Sequence, residues 1–122
     1  MTELEKLRAG LEYDFTAPEV DALKLNAVKL CQKLDAIDVT DYAAKEKVIR
    51  ELFGSAGENP VVLPVFNCDN GKNIHVGDNF LANYNVTILD IREVWMKDIA
   101  DNSLVGGIPA KLIKILPNDV GE

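Results

Sequence analysis

Small or branched aliphatic residues recur at Val76, Ala82, Ile88 and Val94, six residues apart. A helical stripe returns every three or four residues and a half-buried strand every two. Gly77, Asp78 and Asn79 interrupt both patterns. A step of six suits a parallel β-solenoid, in which each hexad forms one short side of a triangular coil. The aliphatic residue points into the coil, and turn-forming residues such as Gly77, Asp78 and Asn79 make a corner. The supporting inward position, four residues later, holds Phe80 and Val86 and then Arg92 and Asp98, so the rhythm decays after Ile88. The expected fold is mainly β: a short left-handed parallel β-helix of hexapeptide repeats, preceded by a helical N-terminal cap.

The cap follows from a different grammar. Thr16, Pro18 and Glu19 have the form of a capping box, with proline in a first turn where no N–H is needed. Behind them Val20, Leu23, Ala27, Leu30 and Leu34 form one apolar stripe, with Asp21, Lys24, Lys29 and Lys33 on the wet side. A second helix is expected from Thr40 or Asp41, burying Ala44, Val48, Ile49 and Leu52 and stopping at Gly54; a short one over 3–11 precedes both. The expected division is a cap over 1–57 and a coil with its closing segment over 58–122.

A formal net charge of −7 argues against nucleic acid or an anionic membrane surface as the main partner, since both demand a basic face. No apolar run has the length of a membrane span, and the opening MTELEKLRAG lacks the basic and apolar regions of a signal peptide, so the expected compartment is the cytoplasm. Cys31 and Cys68 stand in unrelated contexts without metal-ligand spacing and are expected to be two reduced thiols, with no metal site.

The segments Gly57-Glu58-Asn59, Cys68-Asp69-Asn70-Gly71, Asn73 to Asn79, Asn83-Tyr84-Asn85 and Leu89-Asp90 together resemble the entry region of the maltose and galactoside O-acetyltransferases. The opening MTELEKLRAGLEYD and the exit Gly107-Ile108-Pro109-Ala110-Lys111 resemble that family's first helix and last coil. The resemblance implies a left-handed β-helix that moves acetyl from acetyl-CoA to a sugar hydroxyl, working as a trimer. It also implies that Asp69, Asn83 and Asp90 help line a sugar pocket, that Tyr13 approaches it, and that Lys111 lies near the end of the CoA groove. Asn70 and Leu81 depart from the family pattern, which places aromatic residues there.

Family members carry further coils between these two regions, with a T-x-x-H-P segment whose histidine is the general base. That segment is absent here, and the two ends meet near Arg92 to Met96. An internal deletion joining two similar repeats accounts for the surviving local rhythm. Acetyl transfer needs a base near neutral pH and a donor for the developing oxyanion. The only histidine is His75, a weak candidate because its NIHVG context matches a coil segment rather than the catalytic one. The expectation is a remnant with little or no acetyl transfer. The rivals are a working enzyme whose base comes from His75 or a partner chain, and a non-catalytic binding or trimer-assembly module.

Overall fold

The computed structural model describes residues 1–96 and, as backbone strands, Ser103–Gly106 and Lys111–Ile115. Three helices come first: α1 (Glu3–Arg8), α2 (Pro18–Ala36) and α3 (Tyr42–Leu52). Helix α1 is held by a reciprocal capping box, Thr2 accepting from the Glu5 N–H and Glu5 reaching back to the Thr2 N–H. The box expected at Thr16 does not form. The Thr16 hydroxyl is bonded to Asp14 Oδ1 at 2.6 Å, and α2 starts after Ala17 without a side-chain cap. A nearer carboxylate has outcompeted the helix terminus for that hydroxyl. Helix α3 starts as expected, with Asp41 accepting from the Ala44 N–H, and ends at Phe53, one residue before Gly54.

The β part is built from β1 (Ser55–Ala56), β2 (Val61–Val62), β3 (Asn67–Cys68), β4 (Ile74–Val76), β5 (Leu81–Ala82), β6 (Thr87–Leu89), β7 (Val94–Met96), β8 (Ser103–Gly106) and β9 (Lys111–Ile115). Each strand from β1 to β4 pairs in parallel with the strand three places later, which stacks the chain into three faces: β1-β4-β7, β2-β5 and β3-β6-β8. The partners Ser55 and His75, Val61 and Leu81, and Asn67 and Thr87 are each twenty residues apart, whereas three hexads give eighteen. The extra two residues sit in one corner, because Cys68 to Val76 is a step of eight while Ala56, Val62 and Cys68 keep the step of six. Repeat grammar therefore begins at Ala56, one coil earlier than the run at Val76 reveals. It also places β1 within the range expected for the cap.

Val76, Ala82, Ile88 and Val94 are all buried, as are Phe80 and Val86, while Arg92 is exposed where the rhythm decays. Asp98 lies outside the described residues. Asn59 and Asn79, at φ +54° and +56°, occupy equivalent corners of successive coils, a left-handed conformation that asparagine tolerates better than most residues. Parallel stacking ends at β9, which pairs antiparallel with β8.

The cap closes the first coil. Ala27, Cys31 and Leu34 of α2 and Val48, Ile49 and Leu52 of α3 join Phe53, Phe66, Phe80 and the inward coil residues in one core. Arg50 adds a polar clamp, its guanidinium donating to the Ala56 and Gly57 carbonyls at 2.9 and 2.8 Å. These contacts supply the neighbour that a first coil lacks, since no coil buries its own interior.

Candidate active site

Two clusters gather polar residues at the coil. The first is the eight-residue corner after β3. Asp90, following β6, is fully buried, and its carboxylate accepts four backbone N–H groups. Asp69 and Asn70 donate to Oδ1 at 3.0 and 2.9 Å, and Gly71 and Asn73 donate to Oδ2 at 2.6 and 3.3 Å. The Asn73 side chain returns the contact by donating to the Asp90 and Ile91 carbonyls, both at 2.9 Å. Gly71, at φ +86°, has no room for a side chain, because a Cβ there would lie 2.6 Å from the Leu52 carbonyl oxygen. Asp90 thus carries the turn, and its side-chain oxygens are occupied by the protein itself.

Asp69 stands in the same corner, half-buried, with Oδ2 shielded from solvent and without a hydrogen-bond partner. Burial raises its carboxyl above the ordinary range, opposed by the nearby Lys24 charge. Burial also pushes Asp90 up to about 6, against the backbone hydrogen bonds that favour its charged form. A carboxyl raised in the folded state binds a proton that the unfolded chain has already released, so folding stability increases as pH falls from 7 through about 6 toward about 4. Asp90 alone corresponds to a gain of about 2–3 kcal/mol. Urea unfolding midpoints at pH 4.5 and 7 measure this, and a lower midpoint at pH 4.5 would contradict it.

The second cluster runs up the outer side of β1, β4 and β7. Ser55, His75 and Trp95 occupy one register position on successive coils. Ser55 Oγ lies 2.7 Å from His75 Nδ1, and the Trp95 indole stacks on the imidazole with centroids 4.2 Å apart at 17°. His75 Nε2 is shielded from solvent and has no hydrogen-bond partner, and Glu93 Oε1 stands 3.6 Å from it, too far for a hydrogen bond. A hydroxyl, an imidazole and a carboxylate in line are the parts of a proton-transfer relay. An eighteen-residue repeat sets Glu93 in line with His75 but misses Ser55 and Trp95; a twenty-residue coil puts those two directly beside it.

The remaining expected site residues are dispersed. Tyr13 is half-buried against the small cluster of Leu7, Ala17 and Val20. Gly10, three residues before it, faces the Arg92 guanidinium beyond the Asp90 corner. Asn83 follows β5 at a different corner. Lys111 opens β9, and its side chain lies outside the described residues, as do Gly107 to Ala110. Among the described residues no group of three or more His, Cys, Asp or Glu side chains is placed to hold a metal ion, and no helix is long and apolar enough to cross a membrane.

Comparison with known proteins accounts for this arrangement. Residues 6–57 match the family model of the maltose acetyltransferase hexapeptide capping motif. The galactoside O-acetyltransferase of Escherichia coli K12 is 32% identical over 105 residues, covering 86% of this chain and 50% of that protein. Nodulation protein L of Rhizobium meliloti is 31% identical over 105 residues, covering 86% and 56%. The chain spans about half the length of the curated relatives it matches. Among solved structures, a galactoside acetyltransferase in complex with coenzyme A superposes with a TM-score of 0.69 at 21% identity, covering 96% of this chain and 92% of that one. A Vibrio cholerae hexapeptide-repeat acetyltransferase complexed with acetyl coenzyme A gives 0.64 at 24%, covering 97% and 100%. These two likenesses concern the fold, and the sequence matches concern descent. The capping motif, the twenty-residue parallel coil laid against it and the sequence relatives agree: the chain belongs to the hexapeptide-repeat family of the maltose and galactoside O-acetyltransferases.

Proposed function

We propose that this chain is a shortened sugar O-acetyltransferase: a helical cap over 1–57 on a left-handed coil over 58–122, retaining part of an acceptor pocket but little or no acetyl transfer. The observation that carries this reading is the register of the third coil. Val76 pairs with Met96 and Ile88 with Val105, so the chain covers in nine residues a stretch that takes twelve one coil below. The step of twenty holds through Met96, so the shortfall lies between Met96 and Val105, just past the expected Arg92–Met96 junction, and joining an early coil to a late one would leave such a break in register. The match to only half the length of the curated relatives, set beside solved structures superposed over most of their length, supports loss from the middle.

Acetyl-CoA is the proposed co-substrate, on the strength of the family and of the two related structures that hold coenzyme A or its acetyl ester. On the acceptor side, Asp69 has an unpartnered but solvent-shielded oxygen that a sugar hydroxyl would reach once the corner opens, and Asp90 orders the turn that carries it. Asn83, Tyr13 and Lys111 keep the roles implied by the family, and a homotrimer is the proposed assembly. Exposed Tyr84, Leu89 and Trp95 supply apolar surface for such an association.

The test is acetyl-CoA consumption followed by chromatography with glucose, maltose and galactosides, beside a full-length relative. Chromatography avoids the background that Cys31 and Cys68 would give with a thiol dye. Loss of a general base removes on the order of 10²–10⁴-fold in rate, so turnover at least a hundredfold below the relative is expected. A second reading is favoured by His75 Nε2, which lacks a partner although it is shielded from solvent: once the exposed Glu93 side chain moves aside, this nitrogen takes the sugar proton as the hydroxyl attacks the thioester. Acceptor-dependent turnover within tenfold of the relative, abolished by His75→Ala, would replace the first reading with the second.

A further inference from the structure

The two cysteines are adjacent in space although 37 residues separate them in sequence, with Cys31 on α2, Cys68 on β3 and Sγ atoms 3.8 Å apart. They lie at a cleft of about 260 Å³ between helix and coil, lined also by Val28, Asp35, Val65 and Phe66. Cys31 is buried and Cys68 is half-buried. We infer that this pair is an oxidation site, at which a small hydroperoxide entering the cleft converts the two thiols into a disulfide that staples the helical cap to the first coil.

The chemistry balances. The Cys31 thiolate attacks the peroxide oxygen and displaces water or an alcohol, giving a sulfenic acid. Cys68 then attacks the Cys31 sulfur, its proton leaving with the hydroxide as water, so two thiols are oxidised and one peroxide is reduced. The order of roles follows the environment. The contact between the two sulfurs, in which either thiol can donate, holds the Cys31 thiol below its ordinary value, while that same pairing and burial push the Cys68 thiol up. Cys31 is therefore the first nucleophile and Cys68 the resolving thiol. An S–S bond of about 2 Å needs the sulfurs to close by less than the width of one atom, within reach of side-chain rotation. In a reducing compartment the pair rests as thiols and bridges only under oxidant.

The expected consequence is mechanical. The bridge closes a loop spanning α3, β1 and β2, and cross-linking a loop of this size lowers the unfolding constant by on the order of several hundredfold. That corresponds to a rise of roughly 10–20 °C in the unfolding midpoint. It would tether the cap to the coil whether or not acetyl transfer occurs, so it stands apart from the proposed activity.

The experiment treats the full chain with hydrogen peroxide, then counts thiols under denaturing conditions, maps peptides by mass spectrometry and records the unfolding midpoint before and after dithiothreitol. The inference predicts loss of both thiols, an intramolecular Cys31–Cys68 peptide and a rise in midpoint that dithiothreitol reverses. Cys68→Ser, the milder change because that side chain is less buried, should instead accumulate a Cys31 sulfenic acid trapped by dimedone and show no rise. Two thiols surviving peroxide, or disulfides formed only between chains, overturns the proposal without the variant being needed.

Discussion

Asp90→Ala should cost about 3–5 kcal/mol of folding stability, read as the free energy from urea unfolding at pH 7. The carboxylate is the common acceptor for the N–H groups of Asp69, Asn70, Gly71 and Asn73. Without it these donors face a methyl group in a site closed to solvent, and each orphaned donor costs on the order of 1–3 kcal/mol before water enters or the turn relaxes. Domains of this size hold about 5–15 kcal/mol in all, so the variant should be partly unfolded at 37 °C. Asp90→Asn should lose less than alanine, since one oxygen still accepts, but more than an ordinary surface change, because its NH₂ opposes two other donors. If alanine shifts stability by under 1 kcal/mol, the corner is not organised by Asp90. The rise in stability toward acid pH should also shrink in both variants, because the carboxyl with the largest upward shift is gone.

Phe53→Ala is expected to be comparably damaging for an apolar reason. Phe53 is 2% exposed at the end of α3, with ring centroids 5.8 Å from Phe66 and 6.2 Å from Phe80, so it joins helix, first coil and second coil at one point. Truncating a buried phenylalanine removes transfer energy and leaves a cavity that rigid short strands cannot fill, about 3–5 kcal/mol in total. Phe15→Ala is the control, since that ring is 62% exposed beneath Lys24 and should change stability by about 0.5 kcal/mol or less. Equal effects from the two variants would mean that the cap does not depend on the Phe53 seam.

The contrast between these two sites tracks what could be read in advance. The inward residues of the coil and the buried faces of α2 and α3 were legible because burial imposes a period, and the apolar residues needed to satisfy it stand in the sequence at Val76, Ala82, Ile88, Val94, Val48 and Leu52. The helix start at Asp41 was legible for the same reason, since a cap is settled within one turn. Thr16 shows the limit of local pattern: the motif was present, but Asp14 took the hydroxyl. Lys45, buried to 6% on α3, carries no signal in a stripe reading that assigns charged residues to solvent.

Site residues were legible as kinds and not as partners. Asp69 and Asp90 were named for a sugar pocket through family resemblance, yet their division of labour, one carboxylate occupied by backbone and the other with a bare oxygen, depends on which N–H groups converge in a corner formed by residues about twenty apart. His75 was recognisable as the only base of its type; its contacts with Ser55 and Trp95 follow from coil length, and two extra residues at one corner change which side chains stack. Cys31 and Cys68 were expected to be separate thiols, and only the packing of α2 on β3 brings their sulfurs together. The sequence by itself determined the period of burial and the order of cap and coil, because those are set by neighbours along the chain. The tertiary structure decided the register, the occupied carboxylate and the paired thiols, because each depends on distances between segments that no local pattern encodes.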